Sequence, residues 1–342
     1  MKGKRCSNQS KARLNGLAET LQGAERVLIL PHNNPDPDAI ASALALQLLL
    51  AQYFSINATI GYQGVIGRAE NRALVRYLDY PLQRLTGDDL QSASHLLLVD
   101  TQPGVGNSPL SPEAMPCAVI DHHPIHSTCK QAQYVDIRPQ VGATASLMVE
   151  YLCAANIAVD PKLATALFYG IKTDTQGLER GASPCDRAAF SHLGAQVDLK
   201  ALFKIEHAPM PDDYFSTLTT ALQSARCYDN VVLSYLGAMS YPDLAANIAD
   251  FFMRRQGSLW VICAGIYKQH LYLSVRTCYQ QGAGRLVQNV VGTRGSAGGH
   301  GSMAGAQIPL NGAPPDHLMD ELSRHFLEQL NIPLGQTGES FV

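Results

Sequence analysis

Along the first half of the chain, apolar residues fall in short continuous runs rather than in alternation. Arg26-Val-Leu-Ile-Leu-Pro-His32 is the first, followed by His95-Leu-Leu-Leu-Val-Asp100 and Cys117-Ala-Val-Ile-Asp121. Short apolar runs bounded by polar residues read as strands buried on both faces, and residues 57–62 add another. Helical patterns lie between them: the apolar-rich residues 39–53, a stretch around 70–78, then 142–153 and 163–173. Strands alternating with helices predict a parallel sheet with helices on both faces.

The pattern changes after about Ser183. Residues 183–222 read as amphipathic helix, interrupted by Pro209 and Pro211. Beyond them, residues 231–236, 259–267 and 271–275 read as strands, the last two joined by Lys268-Gln-His270 as a hairpin. Helices are expected over 243–254, 284–291 and 316–330. The fold class is therefore α/β: a parallel-sheet domain over 1–190, a helical linker over 191–222, and a smaller α/β domain over 223–342. A length of 342 residues suits two compact domains.

Charge narrows the partners. The net charge is −3, whereas a protein that follows many phosphates along a polymer carries an excess of Lys and Arg. Long nucleic acid and anionic membrane are thus not expected, while short phosphorylated substrates need only a local positive site. The eight cysteines include no Cys-x-x-Cys pair, which argues against a zinc ribbon or a redox motif. Cys153 and Cys263 lie in apolar stretches and are expected as core fillers. The basic N-terminus leads into no apolar segment of signal-peptide type, and residues 39–54 are too short to span a bilayer. A cytoplasmic protein is expected.

Open parallel sheets bind ligands beyond the carboxyl ends of their strands. Three strands deliver metal-competent side chains there: His32, with Asp36 and Asp38 on the following loop; Asp100; then Asp121, His122 and His123. Asp174 adds a fourth contribution from the end of Ala166-Leu-Phe-Tyr-Gly-Ile-Lys-Thr-Asp174. Pro35 and Pro37 are expected to stiffen the loop against continuing as strand or helix. A single Asp at a strand end is usually a turn or cap residue. Five carboxylates and three histidines at one edge would repel one another without a cation. Carboxylates with imidazoles and no thiolate suit Mn²⁺ or a similarly hard divalent ion.

These residues resemble a known family. His32-Asn-Asn-Pro-Asp36-Pro-Asp38-Ala, Val99-Asp100-Thr101, Asp121-His122-His123-Pro124 and Gly170-Ile-Lys-Thr-Asp174-Thr are similar to the four metal motifs of the DHH phosphoesterase superfamily, over most of residues 26–180. Ser274-Val-Arg276 and Gly298-Gly-His300-Gly-Ser-Met-Ala-Gly305 resemble its DHHA1 domain. Chain length and domain pair are similar to bacterial oligoribonuclease/pAp-phosphatase (nano-RNase) proteins. The resemblance implies a metal-dependent phosphoesterase acting on short RNA oligonucleotides or small pAp-like nucleotides. It implies two divalent ions held by His32, Asp36, Asp38, Asp100, His122 and Asp174. His123 would face the substrate as the catalytic imidazole, and Asp121 would orient the histidine pair. A cyclic-dinucleotide phosphodiesterase, a pyrophosphatase or exopolyphosphatase, and a non-catalytic nucleotide-binding protein are the alternatives; a homodimer is compatible with the sequence. The second-domain loop departs from the family in reading Ser-Ala-Gly-Gly-His rather than an unbroken glycine run.

Six glycines lie between Gly292 and Gly305. Glycine lets backbone N–H groups approach an anion, and a helix starting after the run would add favourable partial charge. With Arg276 nearby, Gly298, Gly299 and His300 become candidate phosphate contacts, Arg276 gripping in bidentate fashion. Arg294 reads as a loop cation and Trp260 as core.

Overall fold

The computed structural model describes the chain apart from Met1, Pro81, Pro112 and Leu334, and apart from the side chains of residues 2–7, Lys130, Gln131 and His300. It divides into two compact units, residues 1–66 with 70–208, and residues 67–69 with 209–342.

The first unit runs α1 (Lys2–Thr20), β1 (Val27–Leu30), α2 (Pro37–Tyr53), β2 (Ala58–Tyr62), α3 (Ala69–Leu78), β3 (Gln83–Arg84), α4 (Gly87–Ser92), β4 (His95–Val99), β5 (Ala118–Asp121), β6 (Tyr134–Ile137), α5 (Thr144–Ala154), α6 (Pro161–Asp174), α7 (Pro184–Gly194) and α8 (Leu199–Glu206). Its six strands pair in the order β3-β2-β1-β4-β5-β6, all parallel. The chain moves outward from β1 through β2 to β3, then returns to lay β4 on the other side of β1. The gap between β1 and β4 is thus the topological switch point, where strand ends leave a crevice. Leu28, Leu30, Leu98 and Val119 fill one face of this sheet, and Ile29, Leu97, Val99 and Ile120 the other, which accounts for the unbroken apolar runs.

Helix α2 is almost wholly buried against α5 and α6. A Cβ on Gly170 would come within 2.9 Å of the Asp38 Cα, so glycine is what permits the close crossing of α2 and α6. Pro37 does not keep the loop out of the helix, as expected; it is the first helical residue, where its missing N–H costs nothing.

Several elements escaped the periodicity, α1 and β6 among them. Helix α1 is polar through its first turns and is anchored by Leu14, Leu17 and Leu21. Strand β6 breaks the apolar pattern because Asp136 is buried in it, paired with Arg138 at 2.6 Å. The expected linker over 191–222 is not a separate element. Helices α7 and α8 give Leu193, Leu202 and Ile205 to the core of the first unit, and the following helix belongs to the second. The apolar stripe of each of these helices packs within its own unit. Among the cysteines, Cys263 is buried but Cys153 is exposed, because it lies on the solvent side of α5.

The second unit continues with α9 (Asp212–Ser224), β7 (Arg226–Tyr228), β8 (Val231–Ala238), α10 (Leu244–Phe252), β9 (Trp260–Tyr267), β10 (His270–Thr277), α11 (Ala283–Val291), β11 (Ser296–His300), β12 (Met303–Pro309), α12 (Pro315–Gln329) and β13 (Glu339–Ser340). Its mixed sheet has the order β11-β12-β10-β9-β8-β7-β13. Leu271, Leu273 and Val275 pack with α11 and α12, while Arg276 on the other face reaches Asp250 of α10. The glycine-rich run is not a loop leading into a helix: it forms the β11–β12 hairpin, and α11 precedes it. Low strand propensity of glycine concealed these strands. Among the described residues no helix is long and apolar enough to cross a membrane.

Candidate metal centre

The switch point receives side chains from both of its strands. His32 follows β1, and Asp100 follows β4 with a left-handed backbone (φ 59°). Such a conformation is costly outside glycine and accumulates at functional positions. Asp121 ends β5 and is followed by His122 and His123. Asp36 is the N-cap of α2, accepting the Ala39 N–H at 3.0 Å. Asp38 lies in its first turn, and Asp174 closes α6.

The side chains converge. His32 Nε2 lies 3.6 Å from an oxygen of Asp36 and 3.6 Å from one of Asp100. His122 Nε2 lies 3.6 Å from Asp100, 3.6 Å from Asp174 and 4.0 Å from Asp38. All six expected ligands therefore fall in two groups, His32 with Asp36 and Asp100, and Asp38 with His122 and Asp174, linked by a third group of Asp100, His122 and His123. The other nitrogen of each ring is held by a carbonyl: His32 Nδ1 donates to Asn33 O at 2.8 Å, and His122 Nδ1 donates to Val141 O at 3.2 Å. Since a carbonyl only accepts, the neutral rings carry hydrogen on Nδ1 and turn the Nε2 lone pair toward the carboxylates.

These spacings fit a cation. Two neighbouring ligands with bonds of about 2.1–2.2 Å to one ion sit about 3.0–3.6 Å apart, and a lone pair facing carboxylate oxygens is repulsive without positive charge between them. Electrostatics agrees. Burial, then the charge of Asp36, pushes the Asp38 carboxyl up to about 7, against the N–H groups that stabilise it. Burial and the surrounding Asp38, Asp36, Asp121 and Asp174 raise Asp100 well above the carboxylate range. Asp174 is raised likewise by burial, Asp36 and Asp38. Asp36, with its side chain 42 % exposed, goes the other way. Burial acts to raise it, but in metal-free protein a protonated His32 outweighs this through its charge and a hydrogen bond from Nε2. Oxygen and imidazole donors without thiolate suit a hard first-row divalent ion.

His123 is set apart from the ring. Its Nδ1 is 3.7 Å from Asp100 but makes a 2.8 Å hydrogen bond to Asp121, which commits that nitrogen to Asp121. Burial acts to lower its pKa, and the charge and hydrogen bond of Asp121 more than reverse this. Asp121 orients the pair unequally: it accepts the backbone N–H of His122 at 2.8 Å and of His123 at 3.2 Å, but holds only the His123 ring. The His122 ring is held by Val141.

Sequence reasoning missed the residues that hold the ligands. Asp38 accepts the N–H groups of Thr144 and Ala145, both at 2.7 Å. The Thr144 hydroxyl donates to Asp100 at 2.8 Å. Gln102 donates to Asp121 at 2.6 Å, and its amide oxygen receives the His126 N–H at 2.7 Å. The start of α5 at Thr144 was the available signal, because the first N–H groups of a helix need acceptors.

In the second unit, sheet register sorts the candidate phosphate contacts. Gly298 stands opposite Gly305, itself opposite Ser274, and His300 stands in the row of Met303 and Arg276. The His300 side chain lies outside the described residues. Gly298 shares a face with Ser274 and Arg276, and a Cβ there would meet no described atom within 4 Å. Gly299 points to the opposite face, where a Cβ would come within 2.4 Å of the Ala304 Cα, and its carbonyl is packed against Gly284 of α11. Packing explains Gly299 without a ligand. Arg276 is committed in part: Nε donates to Asp250 at 2.5 Å, and a terminal nitrogen donates to Ser274 at 2.8 Å and to the Val275 carbonyl at 3.1 Å. Arg294 pairs with Glu321 and caps α11 through the carbonyls of Val290 and Val291. Trp260 is half-buried, with its ring 6.0 Å from that of Tyr279.

Comparison with known proteins follows the same division. An uncharacterized protein of Methanocaldococcus jannaschii is 35 % identical over 83 % of this chain and 58 % of its own length. A probable manganese-dependent inorganic pyrophosphatase of Streptococcus equi is 25 % identical over 54 % of this chain and 58 % of its own. The cyclic-di-AMP phosphodiesterase PdeA of Listeria monocytogenes is 25 % identical over 74 % of this chain and 41 % of its own. The chain thus spans between about two fifths and three fifths of the length of these relatives, two of which are named as a pyrophosphatase and a phosphodiesterase. Among solved structures, an exopolyphosphatase-related protein from Bacteroides fragilis has the same fold with a TM-score of 0.71 at 15 % identity, covering 93 % of this chain and 96 % of that one. Manganese-bound RecJ from Thermus thermophilus gives 0.55 at 12 % identity, covering 96 % and 55 %. Residues 26–171, which carry every candidate ligand of the cluster except Asp174, match the N-terminal domain of the DHH family, so this chain carries a DHH-family domain.

Proposed function

We propose that this chain hydrolyses phosphoester bonds in short nucleotides, namely short oligoribonucleotides and pAp-like molecules, using two divalent ions, preferably Mn²⁺. The observation that carries the reading is the pair of imidazoles, His32 and His122, whose Nε2 atoms face carboxylates at 3.6–4.0 Å about a common Asp100. His32, Asp36 and Asp100 would hold one ion, and Asp38, Asp100, His122 and Asp174 the other. Such ions supply a water that is activated near neutral pH and positive charge for the phosphate oxygens.

The chain's own groups do the rest. Asp121 keeps the His123 ring oriented and favours its protonated form, so that His123 can give a proton to the departing oxygen. Burial of Asp38 and Asp100 excludes water from their oxygens, and the N–H groups of Thr144 and Ala145 fix the Asp38 carboxylate. Arg276, Gly298, Gly299 and His300 are the proposed contacts for a further substrate phosphate, with Gly298 offering the most room.

One observation favours a second reading, hydrolysis of cyclic dinucleotides: the phosphodiesterase relative aligns over 74 % of this chain, more than either unit holds, and the pyrophosphatase over only 54 %. The deciding assay supplies Mn²⁺-loaded protein with short RNA, pAp, a cyclic dinucleotide and pyrophosphate side by side. Preferred turnover of RNA or pAp supports the first reading. Preference for the cyclic dinucleotide replaces it with the second, and turnover of pyrophosphate alone removes both. Full activity in excess chelator would sink the metal-dependent reading.

A further inference from the structure

Behind the candidate metal ligands lies a segment, residues 141–146, that touches three of the four residues proposed for the second ion. The Val141 carbonyl holds the His122 ring, the Thr144 and Ala145 N–H groups hold Asp38, and the Thr144 hydroxyl holds Asp100. Its geometry decides where these ligands sit, yet it is a turn between β6 and α5 whose N-cap, Ala143, has no side chain to cap the helix. Something outside it must hold it.

That something is Asp186, on the first turn of α7. The residue is fully buried, and its carboxylate accepts four hydrogen bonds. One oxygen takes the Gly142 N–H at 2.9 Å, the Ser183 N–H at 2.7 Å and the Ser183 hydroxyl at 2.6 Å; the other takes the Ser146 hydroxyl at 2.6 Å. The Ser183 bonds are a capping box that starts α7. The bonds to Gly142 and Ser146 reach some forty residues back in the chain and grip the segment at both ends. At Gly142 the contact is close: an added Cβ would come within 2.6 Å of Thr175 Cγ2 and 3.2 Å of the Asp186 carboxylate. Thr175 follows Asp174, so the same junction abuts the last ligand of the cluster.

We propose that Asp186 is a positioning residue for the metal centre, fixing residues 141–146 so that His122, Asp38 and Asp100 converge. The inference rests on the metal-centre reading above. Partners that orient metal ligands without touching the ion change affinity by about 10–100-fold when removed, a larger effect than loss of a helix cap alone would have on metal affinity.

The test is Mn²⁺ binding to metal-stripped full-length protein, by calorimetry and by the paramagnetic resonance of free Mn²⁺, alongside thermal melting without metal. Asp186→Ala is expected to raise the Mn²⁺ dissociation constant about 10–100-fold. Asp186→Asn keeps an acceptor for Gly142 and Ser183 and can offer its amide to the Ser146 oxygen, so it should bind nearly as wild type does. Gly142→Ala leaves the carboxylate intact but pushes the segment away from Thr175, and should weaken binding as well. It serves in place of Asp186→Ala should that variant fail to fold. A lowered melting temperature with unchanged Mn²⁺ affinity in folded Asp186→Ala and Gly142→Ala would reduce Asp186 to a helix cap and overturn the proposal. Wild-type protein that binds no Mn²⁺ would instead remove the metal-centre reading itself.

Discussion

The two units carry opposite kinds of site. In the first, the candidate ligands are four carboxylates and two imidazoles, largely buried, the carboxylates held by donors from α2 and α5 and the rings by backbone carbonyls, so that negative charge is concentrated at one strand edge. In the second, the candidate contacts are one arginine and a hairpin. That arginine is already answered by Asp250 and Ser274. The first arrangement crowds buried carboxylates that a cation would compensate, whereas in the second Arg276 already has its partners. A buried cluster of like charges is poor as structure and so points to function. A satisfied ion pair does not, and the phosphate-clamp role of Arg276 rests on resemblance and on the open space at Gly298.

Mutations can sharpen this contrast. The largest effect should come from Asp100→Ala, because Asp100 alone reaches both histidines of the cluster. Turnover is expected to fall by on the order of 10³-fold, with loss of bound metal seen by elemental analysis after desalting. Retained metal would mean that Asp100 is not shared. His123→Ala should keep the metal and lower kcat by roughly 10²-fold; if it empties the site instead, His123 is a ligand and its bond to Asp121 has been misread.

Arg276→Ala should act only on substrates with a second phosphate, lowering kcat/KM about 10-fold, while a small ester such as a nitrophenyl phosphate is cleaved as by wild type. Equal losses on the two substrates would make Arg276 a structural partner of Asp250 and leave the second unit without its clamp.

The smallest effect is on stability, and it has a definite sign. The Asp38 carboxyl is raised from 3.8 to about 7 in the fold, with Asp100 and Asp174 raised in the same direction. For such groups the contribution to stability is fully present below the ordinary carboxylate pKa and is lost as pH rises through the folded value. Metal-free protein should therefore melt at a lower temperature at pH 8 than at pH 5.5. Added Mn²⁺ should narrow that gap, since it binds the ionised carboxylates. A chelated protein that melts higher at pH 8 would contradict the charge crowding inferred here.

Much of the first unit could be read from the sequence because two signals coincide there. Strands buried on both faces must be continuously apolar, and a metal edge must end them in Asp or His. Both constraints act on residues close together in the chain, so the runs ending in His32, Asp100 and Asp121 expose strand and ligand at once. Asp174 came from a different pattern, as the acid that ends the helical stretch 166–174. Asp136 in β6 and the glycines of β11 broke the same rules, one because its charge is paired by Arg138, the other because a hairpin under α11 needs no side chain at Gly299.

What the sequence by itself determined is thus the parallel α/β class, the set of candidate ligands, and the order in which they occur. Only the tertiary structure decided how they meet. It put β4 beside β1, so that Asp100 faces both His32 and His122. It separated Gly298 from Gly299 by sheet register and spent the donors of Arg276 on Asp250. It also brought Asp186, more than forty residues downstream, against the Gly142 N–H. The physical reason is range. Periodicity and spacing report interactions within a turn or along a strand, whereas burial of a carboxylate and the N–H groups that satisfy it depend on segments that are neighbours only after the chain has folded.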